Sequence, residues 1–113
     1  ITAGTDMRGE SWKTVVSDIA QFSETDGERN FAEWLESSGV LAGKRMPLRD
    51  VKFCVPGNSG TWECDYYWQD SEIMYFASGQ EKAMEIAAAS GMKCIYGPDG
   101  RSENNQRIIR EMR

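Results

Sequence analysis

The residues best suited to chemistry are two acidic side chains near the middle of the chain. Successive side chains of a β-strand point to opposite faces, so Glu63 and Asp65 share one face of a strand predicted over Thr61–Trp68. Two neighbouring carboxylates could act as an acid–base pair or bind a hard cation. A solvated acidic face explains the same residues without any chemistry. We favour that explanation because a chain of 113 residues leaves little room for a substrate cleft.

The same face also has the character of a protein-binding surface. Alternation puts Tyr67 beside the two acids, and we expect it to be the outward-facing aromatic of the strand. An aromatic anchor inside a polar, acidic rim is typical of protein interfaces. The polar break after the strand extends this rim. The predicted binding residues are Glu63, Asp65, Tyr67, Gln69 and Asp70.

Cysteine chemistry is a weaker candidate. The chain has three cysteines, Cys54, Cys64 and Cys94, and no histidine, which excludes Cys-His and Ser-His catalysis. Their spacing matches no zinc pattern. In the predicted strands Cys54 points away from the core and Cys64 points into it, so a bridge between them is disfavoured. We expect three reduced thiols in a cytoplasmic protein.

A further candidate is an anion site at the start of a predicted helix. Ser78, Gly79 and Gln80 connect a strand to this helix, and backbone N–H groups at a helix N-terminus can bind phosphate. The glycine-rich stretches of the chain fit neither the P-loop nor the dinucleotide pattern. A small-molecule or nucleotide-binding module is therefore retained as an alternative function.

Charge bears on the class of partner. The net charge is −5, with four acids and no base in residues 61–80 and four bases against one acid in residues 41–60. Phosphate backbones repel an acidic protein, so direct nucleic-acid binding is disfavoured and a basic protein surface is the natural complement. No apolar run approaches the ~20 residues that a membrane span requires.

Four helices are predicted to support these candidates. The first, Glu10–Phe22, has an apolar face that ends in Phe22, and the second covers Asp26–Ser38. Thr25 with Glu28 predicts a capping box, and Gly39 a left-handed C-cap. Two further helices are expected over Gly79–Ser90, with Ser78 and Glu81 as a second capping box, and over Glu103–Met112, capped by Ser102.

Four strands are predicted to form the sheet. They cover Val51–Val55, Thr61–Trp68, Glu72–Ala77 and Met92–Tyr96, while residues 42–50 are predicted to be a loop. Residues 1–9 show no periodicity and are expected to be flexible. The start at Ile1 indicates either a processed N-terminus or a remnant of a fusion sequence, Ile1–Asp6, ahead of a natural start at Met7. The fold class is α+β in a single domain, residues 1–113: two N-terminal helices on a four-stranded mixed sheet, with an antiparallel meander, a βαβ unit and a C-terminal helix.

These observations predict a small, soluble, acidic interaction protein that is not an enzyme and needs no cofactor. Its partner would be a larger protein with a basic surface, and its role that of an inhibitor of the immunity or phage anti-defence type. Neither nucleic acid nor membrane is expected to bind it directly, and a homodimer remains open. A structural component of a phage or secretion assembly is a further alternative.

Overall fold

A computed structural model of the chain describes residues 3–112 as an α+β fold. The hydrophobic periodicities of the sequence become four helices and, within the described residues, a sheet of five strands. In chain order the elements are β1 Ala3–Asp6, α1 Trp12–Gln21, α2 Asp26–Ser38, β2 Leu48–Phe53, β3 Trp62–Trp68, β4 Ile73–Phe76, α3 Glu81–Ala89, β5 Lys93–Tyr96 and α4 Glu103–Arg110.

The strands lie side by side in their chain order, β1 to β5. Neighbours from β1 to β4 pair antiparallel, which is the predicted meander. The last pair, β4 and β5, is parallel and is joined through α3, as the predicted βαβ unit requires. The fold class is thus confirmed, with one strand more than expected.

Helices cover both faces of the sheet. The α1, α2 and α4 side packs one apolar cluster around Phe31, Leu35 and Tyr75. The α3 side packs a second cluster around Val51, Phe53 and Ala87. We call these the α1–α2 face and the α3 face. Since each face carries its own buried cluster, an outward aromatic in the central strands has no solvent to face.

The regular alternation of side chains breaks at the Asp50–Asp65 level of β2 and β3. Asp50 has a φ of 51°, in the left-handed region that side chains other than glycine rarely adopt. Cys64 packs on the α3 face, yet Tyr66, two residues further along the strand, packs on the α1–α2 face. The period-two prediction that these two residues share a face is therefore wrong beyond Asp65.

The N-terminal segment is ordered where the sequence predicted flexibility. Strand β1 pairs with β2 at the edge of the sheet, and Met7 is buried with an exposed fraction of 1%. All four residues of β1 are exposed, so backbone pairing holds the strand. The sequence therefore has no apolar pattern there that would predict a strand. Likewise β2 begins at Leu48, inside the predicted loop. The first two residues lie outside the described part of the chain.

Local signals fixed several helix ends. Thr25 Oγ1 accepts the Glu28 N–H at 3.2 Å, Gly39 has a φ of 63°, and Ser102 caps α4, all as predicted. The second capping box is wrong: α3 begins after Gln80 with no side-chain cap, and Ser78 lies before it. None of the helices in residues 3–112 is long and apolar enough to cross a membrane.

Candidate functional site

The five residues predicted to form one binding face do not lie together. Glu63 is exposed near the start of β3, directly opposite Lys52 of β2. Gln69 and Asp70 are exposed in the turn that follows the other end of the strand. At about 3.3 Å per residue, the separation of six positions from Glu63 to Gln69 corresponds to roughly 20 Å. These residues cannot rim a single anchor.

Tyr67 is not outward-facing. Its exposed fraction is 8%, and it packs in the cluster on the α3 face with Met74 and Cys64. The prediction of an aromatic anchor at Tyr67 is wrong for two reasons. The side-chain alternation shifts beside Asp65, which moves Tyr67 onto the same face as Cys64, and α3 covers that face.

Asp70 belongs to a different surface feature. Its carboxylate forms an ion pair with Arg45 at 2.9 Å, beside a cavity of about 700 Å³ that Trp68 and Arg8 also line. Arg8 is in turn paired with Asp6 at 2.7 Å. Both arginines of this cavity therefore already have a carboxylate partner, and the cavity carries no clear preference for one sign of charge.

Asp65 instead lies in a cleft on the α1–α2 face, and we call this feature the acidic cleft. The cleft has a volume of about 260 Å³, and its walls come from α1, the start of α2 and strands β2, β3 and β4. Four acidic residues and one basic residue line it. Its lining includes Asp18, Phe22, Glu28, Asp50, Asp65 and Tyr75.

The Asp65 carboxylate is held at the end of a strand. Its Oδ2 accepts a hydrogen bond from the Ala77 N–H at 2.8 Å, just beyond the last residue of β4. Burial raises the pKa of Asp65 to about 6, and the neighbouring acids Asp50, Glu63 and Glu28 act in the same direction. The bond from Ala77 lowers the pKa but does not offset burial. A positive charge in the cleft would favour the ionised form.

Glu28 is fixed by its role in capping α2. It is almost fully buried, at 2% exposed. Its Oε1 accepts hydrogen bonds from the Thr25 hydroxyl at 3.1 Å and from the Glu24 N–H at 3.3 Å. A charged side chain is seldom buried unless it is paired or solvated. The capping box thus places an acidic side chain in the cleft wall at a fixed position.

Arg49 supplies the cation among the lining residues. Its guanidinium pairs with Asp18, whose Oδ2 also accepts the Tyr66 hydroxyl at 3.3 Å. The same guanidinium lies 6.0 Å from the centre of the Tyr66 ring, within cation–π range. Burial raises the pKa of Tyr66 to about 12, so the hydroxyl stays protonated as a donor. This network neutralises Asp18 and leaves the other three acids of the lining without a cation partner among the described lining residues.

Tyr75 brings a hydroxyl with no partner. The side chain is 2% exposed, stacks on Phe31 and lines the cleft. Its hydroxyl has no hydrogen-bond partner among the described residues. The hydroxyl lies against the backbone of Gly97, where a Cβ would overlap it. The same Cβ position is 3.1 Å from the Cγ of Glu28, so Glu28 and the hydroxyl are neighbours. A buried hydroxyl without a partner costs stability, which makes it a group that a ligand could satisfy.

Phe22 stands at the cleft and faces solvent. It is 70% exposed, and among the described residues it is the one large hydrophobic side chain that is exposed. The sequence placed Phe22 on the buried face of the first helix. That prediction is wrong because α1 ends at Gln21 and Phe22, as its C-cap, leaves the helical line of Val15 and Ile19.

The α3 N-terminus offers little to an anion. The Gly79 N–H donates to Oε1 of Glu81 at 3.4 Å, and the Tyr96 hydroxyl donates to the same oxygen. The acidic side chain thus occupies part of the position that a phosphate would take. Gln80 directly precedes Glu81 and Ser78 lies three positions before it, so the carboxylate would repel a second negative group near these residues.

The three cysteines are free thiols. Cys54 is exposed and Cys64 buried, as the strand pattern predicted. Burial raises the pKa of Cys64 to about 12 and that of Cys94 to about 11, so neither is a thiolate at neutral pH. Within the part of the chain that the structure describes, no group of three or more Cys, Asp or Glu side chains is arranged to hold a metal ion.

Comparison of the chain with protein-family models, with curated proteins and with solved structures found no match.

Sequence reasoning found one of the cleft residues, Asp65, and missed the others. Asp18 fell on the polar side of the first predicted helix, and Asp50 at the end of a predicted loop. Glu28 had a signal in its capping box, but that pattern announces a helix start and says nothing of burial. The cleft joins residues from five elements, α1, α2, β2, β3 and β4, and neither periodicity nor spacing brings them together.

Proposed function

We propose that this protein is a non-enzymatic interaction protein that binds a basic surface of a larger protein through the acidic cleft and Phe22. Its role would be that of an inhibitor of the immunity or anti-defence type, acting in the cytoplasm by occupying a basic site on its partner. The observation that carries this proposal is the exposed Phe22 beside a cleft lined by four acids and one base.

The two parts of this surface have distinct physical roles. Full burial of a phenylalanine side chain contributes roughly 1.5–3 kcal/mol, so Phe22 can serve as the apolar anchor. The carboxylates around it raise the rate of encounter with a basic partner and select against acidic ones. An aromatic residue surrounded by polar groups is the arrangement expected of an interface centre.

Charge supports a protein partner over nucleic acid. The net charge of −5 and the acidic lining both repel phosphate, while a cluster of lysine or arginine on a protein would complement them. The same argument disfavours a nucleotide as the ligand of this cleft. A structural role in an assembly is the alternative function, and a stable homo-oligomer at micromolar concentration would favour it.

The test is a pull-down from native lysate with mass spectrometry at low and high salt. The bait variants are Phe22→Ala and Asp50→Asn, because asparagine tolerates the positive φ of Asp50 and removes only the charge. Glu85→Gln is the matched control, since Glu85 is exposed on α3, which covers the opposite face of the sheet. We expect a basic protein that the wild type and the control retain and the cleft variants lose. Retention by all four baits would refute the proposed site.

A further inference from the structure

The acidic cleft has hydrogen-bond acceptors that the protein itself does not use. The bond from Ala77 goes to Oδ2 of Asp65, and both side-chain bonds to Glu28 go to Oε1. The Tyr75 hydroxyl has no partner among the described residues and is almost fully buried in the cleft wall. One oxygen of each carboxylate and the phenolic oxygen are therefore the acceptors that a ligand with N–H donors could satisfy.

We propose that the cleft binds the guanidinium group of one arginine side chain of the partner, held by Glu28, Asp65 and the Tyr75 hydroxyl. This inference rests on the proposed function, in which the partner is a basic protein. It adds the chemical identity of the group that enters the cleft and the three side chains that recognise it.

The geometry favours guanidinium over ammonium. A guanidinium is planar and carries five N–H donors in a fixed fork, whereas an ammonium is a compact point charge with three. The cleft combines carboxylates with the aromatic side chains of Tyr66 and Phe22, and guanidinium stacks on such rings while pairing with acids. Arg49 already does so in this protein, since it pairs with Asp18 and lies over the Tyr66 ring.

Volume and charge agree with a single side chain. The cleft volume of about 260 Å³ is just below the roughly 300–1,000 Å³ of pockets that enclose whole small-molecule ligands. Arg49 neutralises Asp18, so the net charge of the remaining lining acids attracts one further cation. A ligand larger than one side chain would extend past Phe22 into solvent. In the proposed complex, the backbone of the partner lies there.

The experiment is an NMR titration of the ¹⁵N-labelled protein with three capped tripeptides, acetyl-Gly-X-Gly-amide. X is arginine, lysine or citrulline, the last being the neutral isostere of arginine. We expect saturable shifts of the Ala77 and Gly97 amides with the arginine peptide and none at Ala88, which is exposed on α3. The affinity for the arginine peptide should exceed that for the lysine peptide at least threefold and that for the citrulline peptide at least tenfold.

Two variants assign the contacts. Tyr75→Phe removes a hydroxyl without a partner, so it should weaken the arginine peptide at least threefold and leave the thermal midpoint unchanged or higher. Asp65→Asn should weaken it at least fivefold, and Glu85→Gln should leave the affinity unaltered. Equal affinity for arginine and lysine peptides, or wild-type affinity in both cleft variants, would overturn the inference.

The outcome separates this inference from the proposed function. A partner captured through the cleft by a protein that shows no preference for the arginine peptide would refute the guanidinium site alone. Arginine selectivity in a protein that retains no partner would refute the proposed interaction and leave the guanidinium site standing.

Discussion

The Asp65 side chain accepts the backbone N–H of Ala77 at the end of β4, as the carbonyl of a neighbouring strand would. Its Oδ2 accepts the Ala77 N–H at 2.8 Å, one residue beyond the last paired position of the strand. The bond fixes the carboxylate at the wall of the acidic cleft, where burial raises its pKa to about 6. A group that serves the backbone in this way is held in place before any ligand arrives.

Asp65→Asn should stabilise the protein at neutral pH. Because the pKa of Asp65 is raised, the folded state holds the Asp65 proton more tightly than the unfolded state does. Protonated Asp65 therefore stabilises the fold at low pH, and this stability is lost as pH rises from about 4 to about 6. The rise from 3.8 to about 6 corresponds to at most about 3 kcal/mol, and solvent screening reduces this to about 1–2 kcal/mol. Asparagine keeps an oxygen for the Ala77 N–H and has no charge to bury.

Urea unfolding at pH 7.5 and pH 3.5 measures this effect. The variant should be more stable than the wild type at pH 7.5 and equal to it at pH 3.5. Glu63→Gln, which removes a charge from an exposed position of the same strand, should change stability by less than about 0.5 kcal/mol at pH 7.5. A variant that is destabilised at pH 7.5 would show that the charge of Asp65 strengthens the fold.

Truncation of Tyr67 should cost far more stability than truncation of Phe22. Tyr67→Ala opens a cavity in the cluster on the α3 face and should cost about 3 kcal/mol or more. Phe22→Ala removes a side chain that is 70% exposed and should cost less than about 0.5 kcal/mol. Chemical denaturation of the two variants checks both values. A small loss for Tyr67→Ala would mean that this side chain is free to face outward after all.

Gly27→Ala should destabilise the protein even though alanine is the better helix former. The first turn of α2 packs so closely on the short 3-10 helix Gly97–Asp99 that a Cβ at Gly27 would overlap the carbonyl of Pro98. We expect a loss of about 1–3 kcal/mol from the forced shift. Gly9→Ala, which meets nothing within 4 Å, is the control and should be close to neutral. Equal stability of both variants would contradict this close approach.

The Asp18–Arg49 pair should stabilise the fold as a unit. The two side chains are 28% and 30% exposed, and the Tyr66 hydroxyl bonds to the same carboxylate. Arg49→Met should cost about 1–2 kcal/mol, because Asp18 then loses its charged partner. A double-mutant cycle with Asp18→Asn should give a coupling of about 1 kcal/mol. A coupling near zero would assign the loss to packing of the arginine stem.

Local sequence signals determined much of the fold. The Thr25–Glu28 capping box and Gly39 predicted the first and last residues of α2 correctly. Caps act through hydrogen bonds and backbone angles within a few positions, so the local sequence shows them. The run of apolar residues in β4 is buried along its whole length, which is typical of a strand covered on both faces. These features depend on near neighbours, which a single sequence displays.

The missed features depend on contacts between distant segments. Strand β1 is exposed and has no apolar pattern, since pairing with β2 alone holds it. The left-handed Asp50 sits at the break in alternation beside Asp65, and no residue pattern announces that break. The outward Tyr67 was inferred by continuing a period of two across this break, and the binding face was misplaced as a result.

Site-specific photo-crosslinking at position 22 tests the central claim most directly. A photoreactive phenylalanine analogue replaces Phe22 in one variant and exposed Glu85 of α3 in the other, and both are irradiated in cells of the source organism. We predict one discrete covalent adduct with a basic protein from position 22, suppressed by Asp50→Asn, and none from position 85. Absence of an adduct at position 22, or the same adduct from both positions, would contradict an interface at the acidic cleft.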